Sequence, residues 1–173
     1  MALTYREEHC METILRSAAV GILVLALALA VASDLGTRTI PNGCVAAVAL
    51  CAAPTVTYAD DLACAAARSL AGAAAVLALL LAARGLSRKL HGSVGIGAGD
   101  IKLLSALGLW AGPVGGLAIV GASCVIALIG RAAAQRSREA ASFAALRRGT
   151  PMPMAPAIAA AAALTFAFGL WGI

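Results

Sequence analysis

Apolar residues fall in long blocks along this chain, led by Leu15 to Ala32 and Leu70 to Ala83, with polar residues gathered in the stretches between them. Short alternating runs would suggest buried strands or a membrane β-barrel, whereas blocks of this length suggest helices. A lone segment in lipid must also satisfy its own backbone, which a helix does. Leu15 to Ala32 contains 32 − 15 + 1 = 18 residues, enough at ~1.5 Å per residue to cross most of a ~30 Å hydrocarbon core. Residues 1–13, with Arg6, Glu7, Glu8 and Glu12, form a short polar tail before it, and 14–173 is expected to form a single transmembrane domain. Ala30-Val31-Ala32 resembles a signal-peptidase site, but the tail is not distinctly basic and further spans follow.

The second apolar block runs from Pro41 to about Tyr58, with Pro41 suited to the first turn of a helix, where its missing N–H is no loss. The third runs from about Leu62 to Ala83, with Arg68 close enough to its start to reach the headgroups. A polar, glycine-rich linker, Arg84 to Gly99, precedes Ile101 to Ile129. That fourth block is interrupted at Trp110-Ala111-Gly112-Pro113, so it is one kinked helix or two spans joined by a tight turn. A basic loop, Arg131 to Thr150, and a last block, Pro153 to Ile173, complete the chain.

Charge decides the count. If Gly112-Pro113 is a true turn, loops 33–43, 84–102 and 131–150 share one side, with Arg38, Arg84, Arg88, Lys89, Lys102, Arg131, Arg136, Arg138, Arg147 and Arg148. Only Arg6, Arg16 and Arg68 face the other way. The positive-inside rule then puts the three loops in the cytoplasm and both termini outside, while five spans would split the basic loops across the membrane. The expected fold is all-α and polytopic, with about six transmembrane helices. The fragment Ile101 to Trp110 is short for a full crossing.

Composition agrees: 62% hydrophobic and 12% charged residues describe a chain built for lipid rather than water. The net charge of +5 does not point to nucleic acid, because the basic residues lie between apolar blocks without interleaved aromatics. Cys10, Cys44, Cys51, Cys64 and Cys124 form no CxxC, and His9 and His91 supply no ligand-spaced partner, so neither metal nor cofactor is expected. Most of these cysteines fall in apolar blocks, as thiols packed between helices do.

Of eight acidic residues, Glu7, Glu8, Glu12, Asp34, Asp60, Asp61, Asp100 and Glu139, two stand at the inner ends of spans. Asp34 closes the first and Asp100 opens the fourth, so carboxylates 100 − 34 = 66 residues apart reach the same membrane boundary. Carboxylates near lipid are costly and point to function. Two that approach cannot comfortably both ionise, so one holds a proton while the other stays a base. Water-activated peptide hydrolysis needs that division: a base for the water, and an acid for the carbonyl oxygen and the leaving amine. The structural alternatives are that Asp100 caps its helix and that Asp34 is solvated beyond a helix end. Gly95-Ile96-Gly97-Ala98-Gly99 before Asp100 gives the backbone freedom for close approach to a peptide. It is no phosphate loop, since no GxxxxGK[ST] follows.

Gly97-Ala98-Gly99-Asp100-Ile101-Lys102-Leu103 resembles the GxGDxKL signature of type IV prepilin peptidases, and Asp34 followed by Ile40-Pro41-Asn42 resembles their upstream aspartate with Ile-Pro-Asn. Pro153-Met154-Ala155-Pro156 is similar to their late Pro-x-Gly-Pro element, with Ala155 in place of glycine. The resemblance runs from about Leu15 to the C-terminus. It implies an aspartic endopeptidase of the bacterial inner membrane that removes short basic leaders from prepilins or pseudopilins at the cytoplasmic face. The implied catalytic pair is Asp34 and Asp100, supported by Gly97, Gly99, Lys102, Pro41 and Asn42. Larger members carry a cysteine-paired zinc region and N-methylate the new N-terminus; this chain has no such region, so it resembles the peptidase-only form of Flp or tight-adherence pilus systems. Ala155 is expected to affect local helix packing alone. Lys102, at i+2 from Asp100, points to another face of a regular helix, so a direct ion pair with it is not assured, and the plain alternative is a lysine that snorkels to the inner interface.

The rival class is a small transporter or channel in which the two aspartates bind or relay a cation or proton. A serine protease is excluded by the lack of a GxSxG elbow; a presenilin-like helix cutter is the closer alternative, although the Pro-Ala-Leu element such proteins normally show is absent here.

Overall fold

The computed structural model describes residues 2–57, 59, 61–91, 97–140 and 154–169, and among them every regular element is a helix. In chain order these are α1 (Ala2–Thr37), α2 (Asn42–Cys51), α3 (Ala53–Thr57), α4 (Leu62–His91), α5 (Ala98–Ala140) and α6 (Ala155–Ala167). By length and composition three segments, Cys10–Thr37, Leu62–Leu90 and Ala98–Ala133, could cross a membrane, the last of them broken at Gly112. The outward faces carry large apolar side chains such as Leu25, Leu29, Leu50, Val114 and Leu128, the surface that a lipid environment favours. The chain is an all-α membrane protein.

Helix α1 is longer at both ends than its apolar block, because residues 2–13 continue the same helix and its last turns run past Asp34. Its inward stripe, Ala19, Leu23, Ala26, Leu27 and Ala30, recurs at helical spacing. Asp34 comes next on that stripe. The helix ends at Arg38, whose φ of 55° is left-handed and whose N–H reaches the Asp34 carbonyl at 3.1 Å. The Ser33 hydroxyl then donates to the Thr39 carbonyl (2.7 Å), and the Thr37 and Thr39 hydroxyls pair at 2.8 Å. These bonds tie the turn into Ile40-Pro41.

Pro41 lies one position earlier than the sequence suggests. With φ −61° and ψ 134° it is the extended residue before α2 rather than part of its first turn. The block it opens is also not one helix: α2 ends at Cys51, Ala52 intervenes, and Pro54 sits in the first turn of α3. The linker expected from Arg84 is helical through His91, so Arg84, Arg88 and Lys89 stand on the last turns of α4. Likewise α5 extends to Ala140 and carries Arg131, Arg136 and Arg138 on a helix rather than in a loop. Residues 141–153 of the expected loop lie outside the described residues.

The interruption at Trp110 to Pro113 is a reversal of the chain. Gly112 has φ 67° and ψ −172°, outside any helical region. In a straight helix residues 108 and 116 would be ~12 Å apart along the axis. A Cβ built on Gly116 would instead stand 3.3 Å from the Gly108 Cα. The arms 98–111 and 113–140 therefore form a helical hairpin. Small residues make the close approach possible, since Gly72 on α4 packs directly against Gly108 and Gly112. Counting α2 with α3 as one segment, the apolar segments among the described residues are six. The first arm holds 14 residues, about 21 Å of helix.

Helix α5 packs mainly on α4, then on α6 and α2, while α1 packs on α2 and α6. The core is the inner stripe of the first arm, Ile101, Leu103, Leu104, Leu107 and Trp110, against Val48, Val76, Ile119 and Ile158. The Trp110 indole N–H donates to the Val48 carbonyl at 2.9 Å, a bond that satisfies both buried groups. Of the cysteines expected to pack between helices, Cys51 is buried and Cys44 partly so. Cys64 and Cys124 are exposed, so for these two the expectation fails: they sit on outward faces of α4 and α5, and Cys10, in the polar tail, is exposed on α1.

Candidate active site

Four helix ends meet on one side of the bundle: the last turns of α1 and the first turns of α2, α5 and α6. Asp34 reaches this point as the continuation of the buried stripe of α1, and only 8% of its surface is exposed. It is neither beyond the helix end nor solvated, contrary to the structural alternative drawn from sequence. The reason is register: Ala26, Leu27 and Ala30 commit one face of α1 to the interior, and position 34 shares that face.

Asp100 stands third in α5, in the first turn, and accepts a hydrogen bond from the Gly97 backbone N–H. That is the reciprocal half of a capping box. Asp100 is therefore not the N-cap that the sequence allowed: it is the third residue of α5, where the bond to Gly97 orients its carboxyl group. Ile101, Leu104 and Leu107 below it are buried, so Asp100 heads an inward stripe just as Asp34 does. The two carboxyl groups are close enough to interact electrostatically. Residues 66 positions apart thus share one site.

The glycines act through space rather than contact. A Cβ on Gly97 would meet the Asp100 Oδ2 at 2.9 Å, and one on Gly99 would press on Ile40 Cβ at 3.2 Å. Gly99 lets the Ile40-Pro41 corner lie against the start of α5. Gly95 lies outside the described residues.

Lys102 and Asn42 complete that junction. The Lys102 ammonium donates to the Asn42 Oδ1 at 3.1 Å. This answers the question left by its spacing from Asp100: the lysine turns to the first residue of α2 and ties the two motifs together. Lys102→Met and Asn42→Ala should each leave measurable activity, lowered about two- to ten-fold, as the loss of one exposed hydrogen bond implies. The double variant should be no worse than either single one; additive losses in a kinetic assay would show that the two side chains act separately.

The late Pro-x-x-Pro element enters the site through its backbone. The Ala155 N–H donates to Asp34 Oδ2 at 3.0 Å in a buried setting, and Ala155 is 1% exposed. Sequence reasoning assigned this position to packing alone. A sequence signal did exist: Met154 offers no hydroxyl or carboxyl to cap the helix, and Pro156 supplies no N–H, so the first-turn donor at 155 needs an acceptor from elsewhere. Pro153 lies outside the described residues.

A profile of the type IV leader peptidase family matches residues 21–130. This chain belongs to the type IV leader peptidase family. The matched span contains Asp34, Pro41, Asn42, Gly97, Gly99, Asp100 and Lys102, whereas Ala155 and the rest of α6 lie beyond it. No curated protein and no solved structure matches the chain. The leader peptidase family makes this chain a membrane peptidase, and the four converging helix ends are the place where its two inward carboxylates meet.

Proposed function

We propose that this peptidase is an aspartic endopeptidase that cleaves the leader from type IV, Flp-type prepilins or pseudopilins, with Asp34 and Asp100 as its catalytic pair. The observation that carries the reading is the meeting of two carboxyl groups, each heading the buried stripe of its own helix, within electrostatic reach of each other. In the reaction one carboxylate takes a proton from water as the water oxygen adds to the scissile carbonyl carbon. The other, in its acid form, gives a proton to the carbonyl oxygen. Collapse of the tetrahedral intermediate breaks the C–N bond: the amine leaves with the proton first taken from water, and a hydroxyl of the intermediate returns a proton to the carboxylate that had acted as the acid. Every atom of the water ends in the two products, and neither metal nor cofactor takes part.

The substrate is a peptide with a basic leader. The site sits at the membrane boundary on the side where Arg84, Arg88 and Lys89 end α4, and the positive-inside rule makes that the cytoplasmic face. N-methylation of the product is not part of the activity. Co-expression with a small prepilin carrying a basic leader tests the reading: a shortened product on a gel supports it, and an unprocessed prepilin beside well-inserted peptidase counts against it.

Topology is a separate test. Reporter fusions after Arg88 and after Arg138 should both report the cytoplasm, and fusions at Asp60 and the C-terminus should report the outside. The hairpin at Gly112 supports this arrangement, because it returns the chain to the side from which α5 starts. Opposite reports from the two basic segments would separate Asp34 from Asp100 and end the proposal.

A further inference from the structure

We infer that α6 is a positioning element of the peptidase site: the backbone N–H of Ala155 holds Asp34 Oδ2 and so fixes the carboxylate in its working orientation, leaving proton transfer to Oδ1. The inference rests on the catalytic reading of Asp34.

A helix leaves its first N–H groups without intrahelical partners, and a buried donor without an acceptor is costly. Ordinarily the N-cap side chain accepts one of them. Here Met154 at the N-cap makes no side-chain hydrogen bond, and the proline in the first turn has no N–H. The first backbone bond of the helix is Ile158 N–H to the Met154 carbonyl, 3.1 Å. The acceptor for Ala155 comes from α1 instead: Asp34 Oδ2 at 3.0 Å, 121 residues away in sequence. Asp34 thus caps α6 from another helix. A charge-assisted bond from a donor fixed in the backbone restrains one carboxylate oxygen more tightly than a mobile side chain would.

The body of α6 is held independently of that bond. Ala157, Ile158, Ala161 and Ala162 are buried, and Ile158, Ala161 and Ala162 belong to the common core. The donor is therefore set by packing and presented to Asp34, and it does not follow Asp34 as the carboxylate moves. Ala155, 1% exposed, leaves no room for a larger side chain without pushing the helix end away. The late Pro-x-x-Pro element acts by placing an amide, and alanine serves there as glycine would, because the side chain is not the working part.

The test replaces only the N–H. Lactic acid in place of Ala155, introduced into the full-length chain, turns that amide into an ester and leaves the methyl group. With a leader-bearing peptide as substrate, kcat should fall about ten- to a hundred-fold, the loss of one hydrogen bond to a charged group, while KM stays within about two-fold. Ala155→Gly keeps the N–H, so its kcat should fall far less than that of the ester variant. Amide exchange read by mass spectrometry gives a second measurement that does not need the ester variant to fold. The Ala155 N–H should be protected in the wild type and in Asp34→Asn, and should exchange freely in Asp34→Leu. Wild-type kcat in the ester variant beside an inactive Asp34→Asn would overturn the inference and leave the catalytic pair standing, as would an unprotected Ala155 amide in the wild type. An active Asp34→Asn would remove both.

Discussion

Asp34→Asn and Asp100→Asn should each lower leader cleavage about 10³-fold or more while the protein remains folded and inserted. The magnitude is what loss of a positioned acid or base removes. Asparagine is nearly isosteric and keeps a carbonyl oxygen. At position 34 that oxygen can still accept the Ala155 N–H now held at 3.0 Å. At position 100 it can still accept the Gly97 N–H. Structural roles thus survive the exchange and proton transfer does not. The double variant should be no less active than either single one, because a base without its acid gives no working site and such units are strongly non-additive. Cleavage is read on a gel, and folding by gel filtration in detergent. Near wild-type processing by either single variant would remove that aspartate from the mechanism, and the carrier reading would regain its force.

Gly72→Ala should be the most damaging single-methyl change in the transmembrane bundle. A Cβ there would overlap the Gly108 carbonyl oxygen and the Gly112 carbonyl carbon, both backbone atoms that no rotamer change can move. Gly108→Ala meets the Gly72 carbonyl oxygen at 2.8 Å from the other side. Each should cost about 1–3 kcal/mol or more, the range for overpacking a close-packed interior, since α4 and the hairpin must separate to make room. Gly21→Ala and Gly43→Ala place their Cβ with nothing within 4 Å, and both should melt near the wild-type temperature. A thermal unfolding series in detergent separates the two pairs. If Gly72→Ala were as stable as Gly21→Ala, the hairpin would not pack on α4 as described.

The all-α membrane architecture was legible because apolar blocks of near-bilayer length leave a lone segment little choice. The reversal at Gly112 was legible only as an alternative: glycine next to proline marks a break, but whether the chain bends or turns back depends on Gly72, which no local pattern connects to it. The ends of α4 and α5 were misplaced because charged residues such as Arg84, Arg88 and Arg131 favour helix as well as apolar ones do. Polarity signals the edge of the lipid there and not the end of the helix. Within the site, Asp34 and Asp100 stood out because acids are few and both lie at span ends. The bonds that join their helices did not. Lys102 to Asn42 and Ala155 to Asp34 cross 60 and 121 residues of sequence, and the second uses a backbone amide, which every residue except proline possesses. Residue identity carries no trace of such a donor, except through the missing cap at Met154.

The central claim is that the site where Asp34 and Asp100 meet hydrolyses a peptide bond. Purified wild-type protein in liposomes, mixed with a synthetic prepilin-like peptide bearing a basic leader and read by mass spectrometry, tests it most directly. The account predicts two fragments whose masses sum to that of the peptide plus one water, and only intact peptide with Asp34→Asn or Asp100→Asn. Intact peptide with the wild type, together with an ion flux that both substitutions abolish, would contradict it.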